Sequence, residues 1–328
     1  MSKMQHKTIL VVGGAGYIGS HTAKLLLKEG FSVILFDNLS TGFRSLAKYG
    51  ELVVGDLSNI NDISNVFLKH SIDVVFHFAA CAYVGESVIN PQKYYKNNVQ
   101  NTLNLLEVML KHNIKKIVFS STCATYGTPQ YLPLDEEHPQ VPINPYGKSK
   151  LMIEQILKDY DKAYDLKYVV LRYFNAAGAD SDGELGEMHH PETHLIPLAI
   201  EVVSDKRDML EVFGDDYETN DGSCIRDYIH VEDLADAHVR AYKYLIDNNC
   251  SNIFNLGTEN GYSVLEIIRK IEEITNKKLF FKISKRREGD PGRLVASAKK
   301  ANNILRWSPL KSNIHNIIES AIRWHKDN

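Results

Sequence analysis

Several features typical of membrane, secreted or nucleic-acid-binding proteins are missing from this chain of 328 residues. No apolar run approaches the ~20 residues that cross a bilayer, so we expect no membrane partner. No basic stripe is present and the formal net charge is only −3, so we expect no nucleic-acid partner. Residues 1–7 lead into an apolar strand without a separate signal segment, which predicts a cytoplasmic protein.

Residues that hold metals or form disulfides are also scarce. The four cysteines are far apart and form no Cys-x-x-Cys motif, which predicts reduced thiols and no structural zinc site. His189, His190 and His194 cluster with Glu187. Because Pro191 interrupts any helix that would place His190 and His194 on one face, we expect a polar loop and no metal site.

What the sequence does contain is a glycine-rich turn between a strand and a helix. Residues 8–12 form an apolar, β-branched run, and Gly13, Gly16 and Gly19 follow at regular spacing before a helical pattern. Gly13 allows a tight turn, Gly16 lets the backbone approach a pyrophosphate, and Gly19 lets helix and strand pack closely. The pattern therefore indicates a dinucleotide-binding unit.

An acidic residue follows the second strand of this unit. Residues 31–36 are strand-like and end in Asp37. A carboxylate at that position can accept both ribose hydroxyls of an adenosine, and it repels the extra phosphate of NADP. The predicted cofactor is therefore NAD, with a loop cap as the alternative role of Asp37.

A candidate general base lies at the start of a later helix. Asn144 is a good N-cap and Pro145 a good first residue, so Tyr146 falls in the first turn with Lys150 four residues on. A phenol titrates near ~10 and an adjacent positive charge lowers its pKa by roughly 1–3 units. With a third positive group the phenol becomes a usable base near neutrality. Alternatively, Tyr146 is a partly exposed tyrosine of an amphipathic helix.

Strand and helix patterns alternate through the first half of the chain. The alternation predicts an α/β fold, a doubly wound parallel sheet of Rossmann type with a smaller C-terminal α/β domain. We expect an NAD-binding domain at residues 1–175 and a substrate-binding lid at 176–328. Residues 224–256, with an apolar run at 252–256, are candidates for a return to the first domain.

Several motifs make the sequence resemble a known family. Gly13-x-x-Gly16-x-x-Gly19, Ser120-Ser121-Thr122, Tyr146-x-x-x-Lys150 and Arg172-Tyr173-Phe174-Asn175 occur in the order typical of extended short-chain dehydrogenase/reductases. The stretches that are similar to the UDP-glucose 4-epimerases of this family are residues 13–21, 84–87, 146–150, 226–231 and 286–290. Together they are spread along nearly the whole length of the chain.

The resemblance implies an NAD-dependent interconversion of UDP-glucose and UDP-galactose, in galactose metabolism, through transient oxidation at C4 of the hexose. Tyr146 would take the proton of the 4′-hydroxyl while the hydride passes to NAD⁺, which would be the third positive group. Thr122 would relay the proton and Lys150 would hold the nicotinamide ribose. The ketone would then rotate and receive the hydride on its other face.

A homodimer built on helices near residues 103–110 and 151–160 is also implied, and the apolar excess of both helices favours it.

The resemblance further implies two sets of binding residues. Cofactor contacts are expected from Gly13, Gly16, Tyr17, Ile18, Gly19, Asp37, Asn38, Asp56, Leu57, Phe78, Ala79, Ala80, Asn97, Thr122, Tyr146, Lys150 and Phe174. Substrate contacts are expected from Asn175, Phe213, Arg226, Arg287, Asp290 and Leu294. The two arginines also make independent sense, because guanidinium forks suit a diphosphate.

Two positions depart from the family pattern. Ala82 stands where some members have a lysine near the cofactor phosphates, which predicts weaker retention of NAD. Leu294 stands where members vary between tyrosine and a small residue. The resemblance therefore implies a sugar pocket of intermediate size, with lower activity on UDP-GlcNAc and UDP-GalNAc.

Two other functions are compatible with a fold of this type. A sugar-nucleotide dehydratase or decarboxylase needs carboxylic side chains directly after the threonine, where this chain has Cys123 and Ala124. A silent NAD-binding regulator of the same fold would not need the intact set of Thr122, Tyr146 and Lys150. Both alternatives are therefore disfavoured.

Overall fold

The computed structural model describes residues 7–287 and 289–327. Residues 1–6, where we expect no signal segment, and Glu288, within the motif at 286–290, lie outside the described residues. The strands are β1 (Thr8–Val12), β2 (Ser32–Asp37), β3 (Glu51–Val54), β4 (Val74–His77), β5 (Lys116–Thr122), β6 (Lys167–Tyr173), β7 (Asn175–Ala177), β8 (Leu210–Phe213), β9 (Ile225–His230), β10 (Asn252–Leu256), β11 (Gly261–Ser263), β12 (Phe281–Ser284) and β13 (Arg293–Leu294). The α-helices are α1 (Tyr17–Lys28), α2 (Ile60–Lys69), α3 (Val84–Ile89), α4 (Pro91–Tyr94), α5 (Asn101–Lys111), α6 (Pro145–Tyr164), α7 (Leu195–Val203), α8 (Val231–Asn248), α9 (Val264–Thr275), α10 (Lys299–Leu305) and α11 (Ile314–Asp327).

A seven-stranded parallel sheet forms the centre of the molecule, in the order β10-β6-β5-β4-β1-β2-β3. Its strands are apolar on both faces because helices cover both faces. On one face α1 and α8 contribute Ala23, Leu26 and Leu234 to the core. On the other face α2, α5 and α6 contribute residues such as Leu106 and Leu157. The predicted doubly wound Rossmann-type sheet is confirmed.

The order in which successive strands join the parallel sheet reverses beside β1, and this switch point positions the site. Strands β2 and β3 extend the sheet to one side of β1, whereas β4, which follows β3, pairs with the other side. The connections that follow β1 and β4 therefore run to opposite sides of this strand pair. They leave a crevice between them at the carboxyl ends of the strands. Ligands of doubly wound folds bind in this crevice.

Later segments build a second layer over the crevice. Strands β7, β9, β11 and β13 form one small sheet, and β8 pairs with β12 in another. Helices α7, α9 and α11 pack around the core of this layer. Strand β10 pairs with β6 in the main sheet, and the division into domains at residue 175 stays a prediction. Within the described part of the chain, no helix is both long and apolar enough to cross a bilayer.

The helix expected at residues 94–111 is interrupted. A π-helical turn at residues 95–100 separates α4 from α5. Within this turn the buried Asn98 side chain donates to Cys81 O and to Ser149 Oγ, both at 3.0 Å. It also accepts from Cys81 N at 2.8 Å. Asn98 thus joins the loop after β4 to α6, which carries the candidate base, as π-turns at functional sites often do.

Candidate active site

A cavity of about 1200 Å³ lies between the carboxyl ends of the main-sheet strands and the second layer. The predicted site residues that line it are Gly13, Gly16, Tyr17, Ile18, Gly19, Asp37, Asn38, Asp56, Leu57, Phe78, Ala79, Ala80, Asn97, Thr122, Tyr146, Lys150, Phe174, Asn175, Arg226, Arg287, Asp290 and Leu294. Phe213 is the one predicted residue that does not line it. Its ring lies against Arg287, whose guanidinium carbon is 3.8 Å from the ring centroid.

The glycine turn has the shape that a dinucleotide phosphate requires. Gly13 has φ +82°, and a Cβ there would lie 2.6 Å from Ala79 N. A Cβ on Gly19 would lie 2.2 Å from Gly13 O. At Gly16, the N-cap of α1, a Cβ would meet Gly13 O at 3.4 Å, and among the described residues no side chain caps the helix. The free N–H groups of this helix start can therefore receive a phosphate.

The Asp37 side chain is fixed at the end of β2. One carboxylate oxygen accepts from Ala15 N at 3.0 Å and the other from Leu39 N at 2.8 Å. Burial raises the pKa of Asp37, and these two backbone N–H groups oppose the shift. Close by, Asn38 Nδ2 donates to Asp56 at 2.8 Å. The arrangement suits a pair of ribose hydroxyls.

Helix α6 begins as the sequence predicts. Asn144 Oδ1 accepts from Gly147 N at 2.8 Å and Pro145 occupies the first turn, which confirms the N-cap. Tyr146 and Lys150 lie on this helix, and Thr122 ends the neighbouring strand β5. All three line the cavity, so the geometry brings the candidate catalytic residues together.

The protein's own groups do not make the Tyr146 phenol acidic. Burial raises the pKa of Tyr146 well above its usual value, Tyr173 raises it further, and a hydrogen bond with Thr122 only partly opposes this. Lys150 Nζ instead donates to Ser120 O at 2.8 Å and lies 4.8 Å from the centroid of the Phe119 ring. Burial lowers the pKa of Lys150 to about 7, against the attraction of Glu154. The expected lowering of the Tyr146 pKa depends on the positive charge of bound NAD⁺ as well as on Lys150, and it stays a prediction for the loaded protein.

The opposite wall carries cations and an apolar side chain. Arg226, on β9, forms a short ion pair with Asp290 and donates from Nη1 to Ile225 O at 2.9 Å. Leu294, on β13, pairs in register with Arg226. The Leu294 side chain is only 7% exposed, in an apolar cluster that includes Phe174. This wall combines positively charged side chains with a buried apolar one.

Glu187, His189, Glu192 and His194 form a compact cluster beside the same cavity, and Glu192 is the member that the sequence did not indicate. Helix α7 begins only at Leu195, so the segment is a loop, as expected. A loop nevertheless brings His189 and His194 together, which the argument from a shared helical face could not foresee. Burial disfavours the charged form of His194, but Glu187 and Glu192 outweigh it and raise the pKa of His194 to about 9.

Comparison with known proteins gives consistent matches. Residues 9–257 match the NAD dependent epimerase/dehydratase family. The chain is 51% identical over 322 residues to a UDP-glucose 4-epimerase of Rhizobium leguminosarum bv. trifolii, with 98% of each chain covered. Among solved structures, UDP-glucose 4-epimerase from Brucella ovis in complex with NAD has a TM-score of 0.94 and 49% identity, with 97% of this chain and 98% of that chain covered. The Bifidobacterium longum UDP-glucose 4-epimerase in complex with NAD⁺ and UDP has a TM-score of 0.93 and 41% identity, with 98% and 99% covered.

Proposed function

This chain belongs to the NAD dependent epimerase/dehydratase family, and from that premise we propose that it interconverts UDP-glucose and UDP-galactose with NAD as its resident cofactor. One observation carries the proposal. A single cavity joins a dinucleotide turn to three candidate catalytic residues, Thr122, Tyr146 and Lys150, and to two arginines on the facing wall, Arg226 and Arg287. A dehydrogenase cofactor and a nucleotide diphosphate can therefore be held together around one base.

The catalytic roles follow from the chemistry of these side chains. When bound, NAD would accept a hydride from C4 of the hexose and later return it. The oxidised cofactor would also supply a positive charge. Tyr146 takes the proton of the 4′-hydroxyl as general base. Because burial raises the Tyr146 pKa, the phenolate needs a positive neighbour to form. Thr122, hydrogen-bonded to Tyr146, relays the proton, and Lys150 holds the nicotinamide ribose.

The facing wall supplies substrate binding. Arg226 and Arg287 bind the diphosphate, and the ion pair with Asp290 orients the Arg226 guanidinium. Asn175, on β7, and Leu294, on β13, limit the space around the hexose. The large cavity leaves room for the keto sugar to rotate before it is reduced. Leu294 permits N-acetylated hexoses at lower efficiency.

The residues after Thr122 support epimerisation over dehydration. Burial raises the pKa of the Cys123 thiol to about 12, and Ala124 has no group to ionise. Neither residue can act as the acid or base that elimination of water requires at neutral pH. An epimerase needs no such group, because it returns the hydride to the carbon it came from.

We also propose a cytoplasmic homodimer. Apolar side chains remain exposed on two of the helices that cover one face of the sheet, α5 and α6. They include Leu103 on α5, 38% exposed, and Met152 and Tyr164 on α6, 42% and 48% exposed. A twofold-symmetric pairing of α5 and α6 with the same helices of a second copy would cover these side chains.

The proposed activity is tested by product analysis. Purified protein is incubated separately with UDP-galactose, UDP-N-acetylgalactosamine and dTDP-glucose, and the products are resolved by NMR. We expect UDP-glucose from UDP-galactose and no dehydrated sugar from dTDP-glucose. Absence of the C4 epimer of UDP-galactose, or a 4-keto-6-deoxy product from dTDP-glucose, would refute the proposal.

A further inference from the structure

The cluster of Glu187, His189, Glu192 and His194 lies outside the proposed chemistry. Its segment runs from Glu187 to the start of α7 and forms part of the cavity wall. The rings of Tyr17, in the first turn of α1, and Tyr83 flank His189 edge-on, at centroid distances of 6.4 and 6.2 Å. No role in the proposed reaction requires two histidines and two glutamates at this position.

The four side chains present their ligand atoms to one point. These atoms all lie within 4.8 Å of one another. His189 Nδ1 is 3.4 Å from Glu187 Oε1 and 3.4 Å from Glu192 Oε2, and His194 Nδ1 is 3.9 Å from Glu192 Oε1. A tetrahedral zinc site with bonds of about 2.0–2.1 Å has ligand edges of about 3.3–3.4 Å. Two of these separations match a metal site and the third is somewhat longer. His194 Nδ1 also forms a short hydrogen bond with Glu187 Oε1, so His194 must release its proton and move away from Glu187 when an ion binds.

A second observation concerns a single nitrogen. His189 Nδ1 is buried and has no hydrogen-bond partner among the described residues. Two carboxylate oxygens lie 3.4 Å from it, within ion-pair distance but without the geometry of a hydrogen bond, so this nitrogen is only weakly satisfied. A metal ion at the centre of the cluster would receive the lone pair of this nitrogen in the neutral imidazole.

The carboxylates are held in place before any ion arrives. The side chains of Glu187 and Glu192 are only 4% and 9% exposed. Glu192 Oε1 accepts from Thr193 N at 2.7 Å and from His194 N at 2.8 Å. The Trp324 indole N–H donates to Glu187 O at 3.1 Å, which ties the segment to α11. Such fixed ligands lose little entropy on binding an ion.

We propose that Glu187, His189, Glu192 and His194 bind one divalent transition-metal ion, with zinc the preferred ion. Zinc commonly takes four ligands, and imidazole nitrogens and carboxylate oxygens are among its usual donors. This cluster supplies two of each. Calcium and magnesium prefer six or more oxygen ligands, which this cluster does not supply. The bound ion neutralises the two buried carboxylates. It also stabilises the segment of the cavity wall that lies between the glycine turn and α7.

The test measures binding, so its result does not depend on the proposed activity. Full-length protein, with any polyhistidine tag removed, is loaded with NAD, freed of metal by a chelator and titrated with Zn²⁺, Ca²⁺ or Mg²⁺ by calorimetry. We expect one Zn²⁺ per chain, bound at least tenfold more tightly than Ca²⁺ or Mg²⁺. With Co²⁺ in place of Zn²⁺, an intense visible absorption reports tetrahedral coordination.

Single substitutions assign the site. His189→Ala, His194→Ala and Glu192→Gln should each weaken Zn²⁺ binding at least tenfold. His190→Ala is the matched control, because His190 lies in the same segment but outside the cluster, and it should bind Zn²⁺ as the wild type does. Circular dichroism and bound NAD verify folding of each variant, and Glu192→Gln keeps the side-chain shape. Wild-type protein that binds no Zn²⁺, or equal weakening in His190→Ala and His189→Ala, would overturn the proposal.

Discussion

Glu154 and Arg172 form a forked ion pair in the interior of the protein. Arg172 Nε lies 3.0 and 3.2 Å from the two Glu154 carboxylate oxygens, and Nη2 lies 2.6 Å from Oε2. The side chain of Glu154 is fully buried and that of Arg172 is 2% exposed. Because Glu154 follows Lys150 by one turn of α6 and Arg172 belongs to β6, the pair fixes the catalytic helix on the sheet.

Loss of Arg172 should therefore strongly destabilise the protein. In Arg172→Met the carboxylate of Glu154 stays buried without its partner, which costs about 3–5 kcal/mol. Urea unfolding should show this as a lower transition midpoint. Lys111→Met is the control, because it removes a solvent-exposed ion pair with Glu107. The Lys111 side chain is 60% exposed and that of Glu107 is 49% exposed. We expect a change of at most about 0.5 kcal/mol there, and similar losses in both variants would contradict the argument.

The second prediction concerns Tyr146 as the essential base. Tyr146→Phe removes only the phenolic oxygen, so turnover of UDP-galactose should fall by roughly 10²–10⁴ while NAD stays bound. Initial rates and bound NAD are measured on the same sample. Tyr168→Phe is the matched control, since Tyr168 is a buried tyrosine of β6 that does not line the cavity. Near wild-type turnover in folded Tyr146→Phe would exclude the mechanism.

The parts of the fold that local sequence dictates were predictable. The glycine turn, the strand ending in Asp37 and the N-cap at Asn144 each depend on a few adjacent residues, and the structure contains them. The second layer was not predictable, because its small sheet joins strands of two to six residues from four separate segments. Such short strands have no periodicity of their own and form only against distant partners.

The site shows the same division between local and tertiary information. Spacing along α6 suggested that Lys150 would lower the Tyr146 pKa. The groups around Tyr146 shift its pKa upward instead, mainly because burial disfavours the phenolate, and no local pattern reports that burial. In the same way, a loop brings His189 and His194 together, and the path of that loop cannot be read from local sequence. Only the density of histidines beside Glu187 in the sequence pointed to their cluster.

The third prediction concerns assembly. Leu103→Glu combined with Met152→Glu places two charges on the exposed apolar faces of α5 and α6, and should convert a dimer to a monomer at micromolar concentration. Light scattering should return a dimer mass for the wild type and a monomer mass for the double variant. Leu310→Glu is the control, since Leu310 is 86% exposed and lies outside both helices. A monomer mass for the wild type would refute the homodimer.

The last prediction concerns the size of the sugar pocket. Leucine at position 294 lacks the ring and hydroxyl that would fill the space beside C2 of the hexose, yet it is bulkier than a cysteine, serine or glycine. One apolar group in a pocket changes discrimination by only ~1–3 kcal/mol. We therefore expect fast epimerisation of UDP-glucose and UDP-galactose, and slower but detectable epimerisation of their N-acetylated counterparts, measured by coupled assay and NMR.

A substitution at the same position tests whether Leu294 is the gate. Leu294→Tyr should abolish the N-acetyl activity and spare the glucose reaction. Because Leu294 is only 7% exposed and packs in an apolar cluster, the larger ring also strains its neighbours by about 1–3 kcal/mol. Thermal unfolding must therefore accompany the rates. Leu294→Met nearly conserves the volume and should keep the wild-type ratio of activities. Leu294 is not the gate if the wild type shows no N-acetyl activity at high enzyme concentration, or if folded Leu294→Tyr keeps the same ratio.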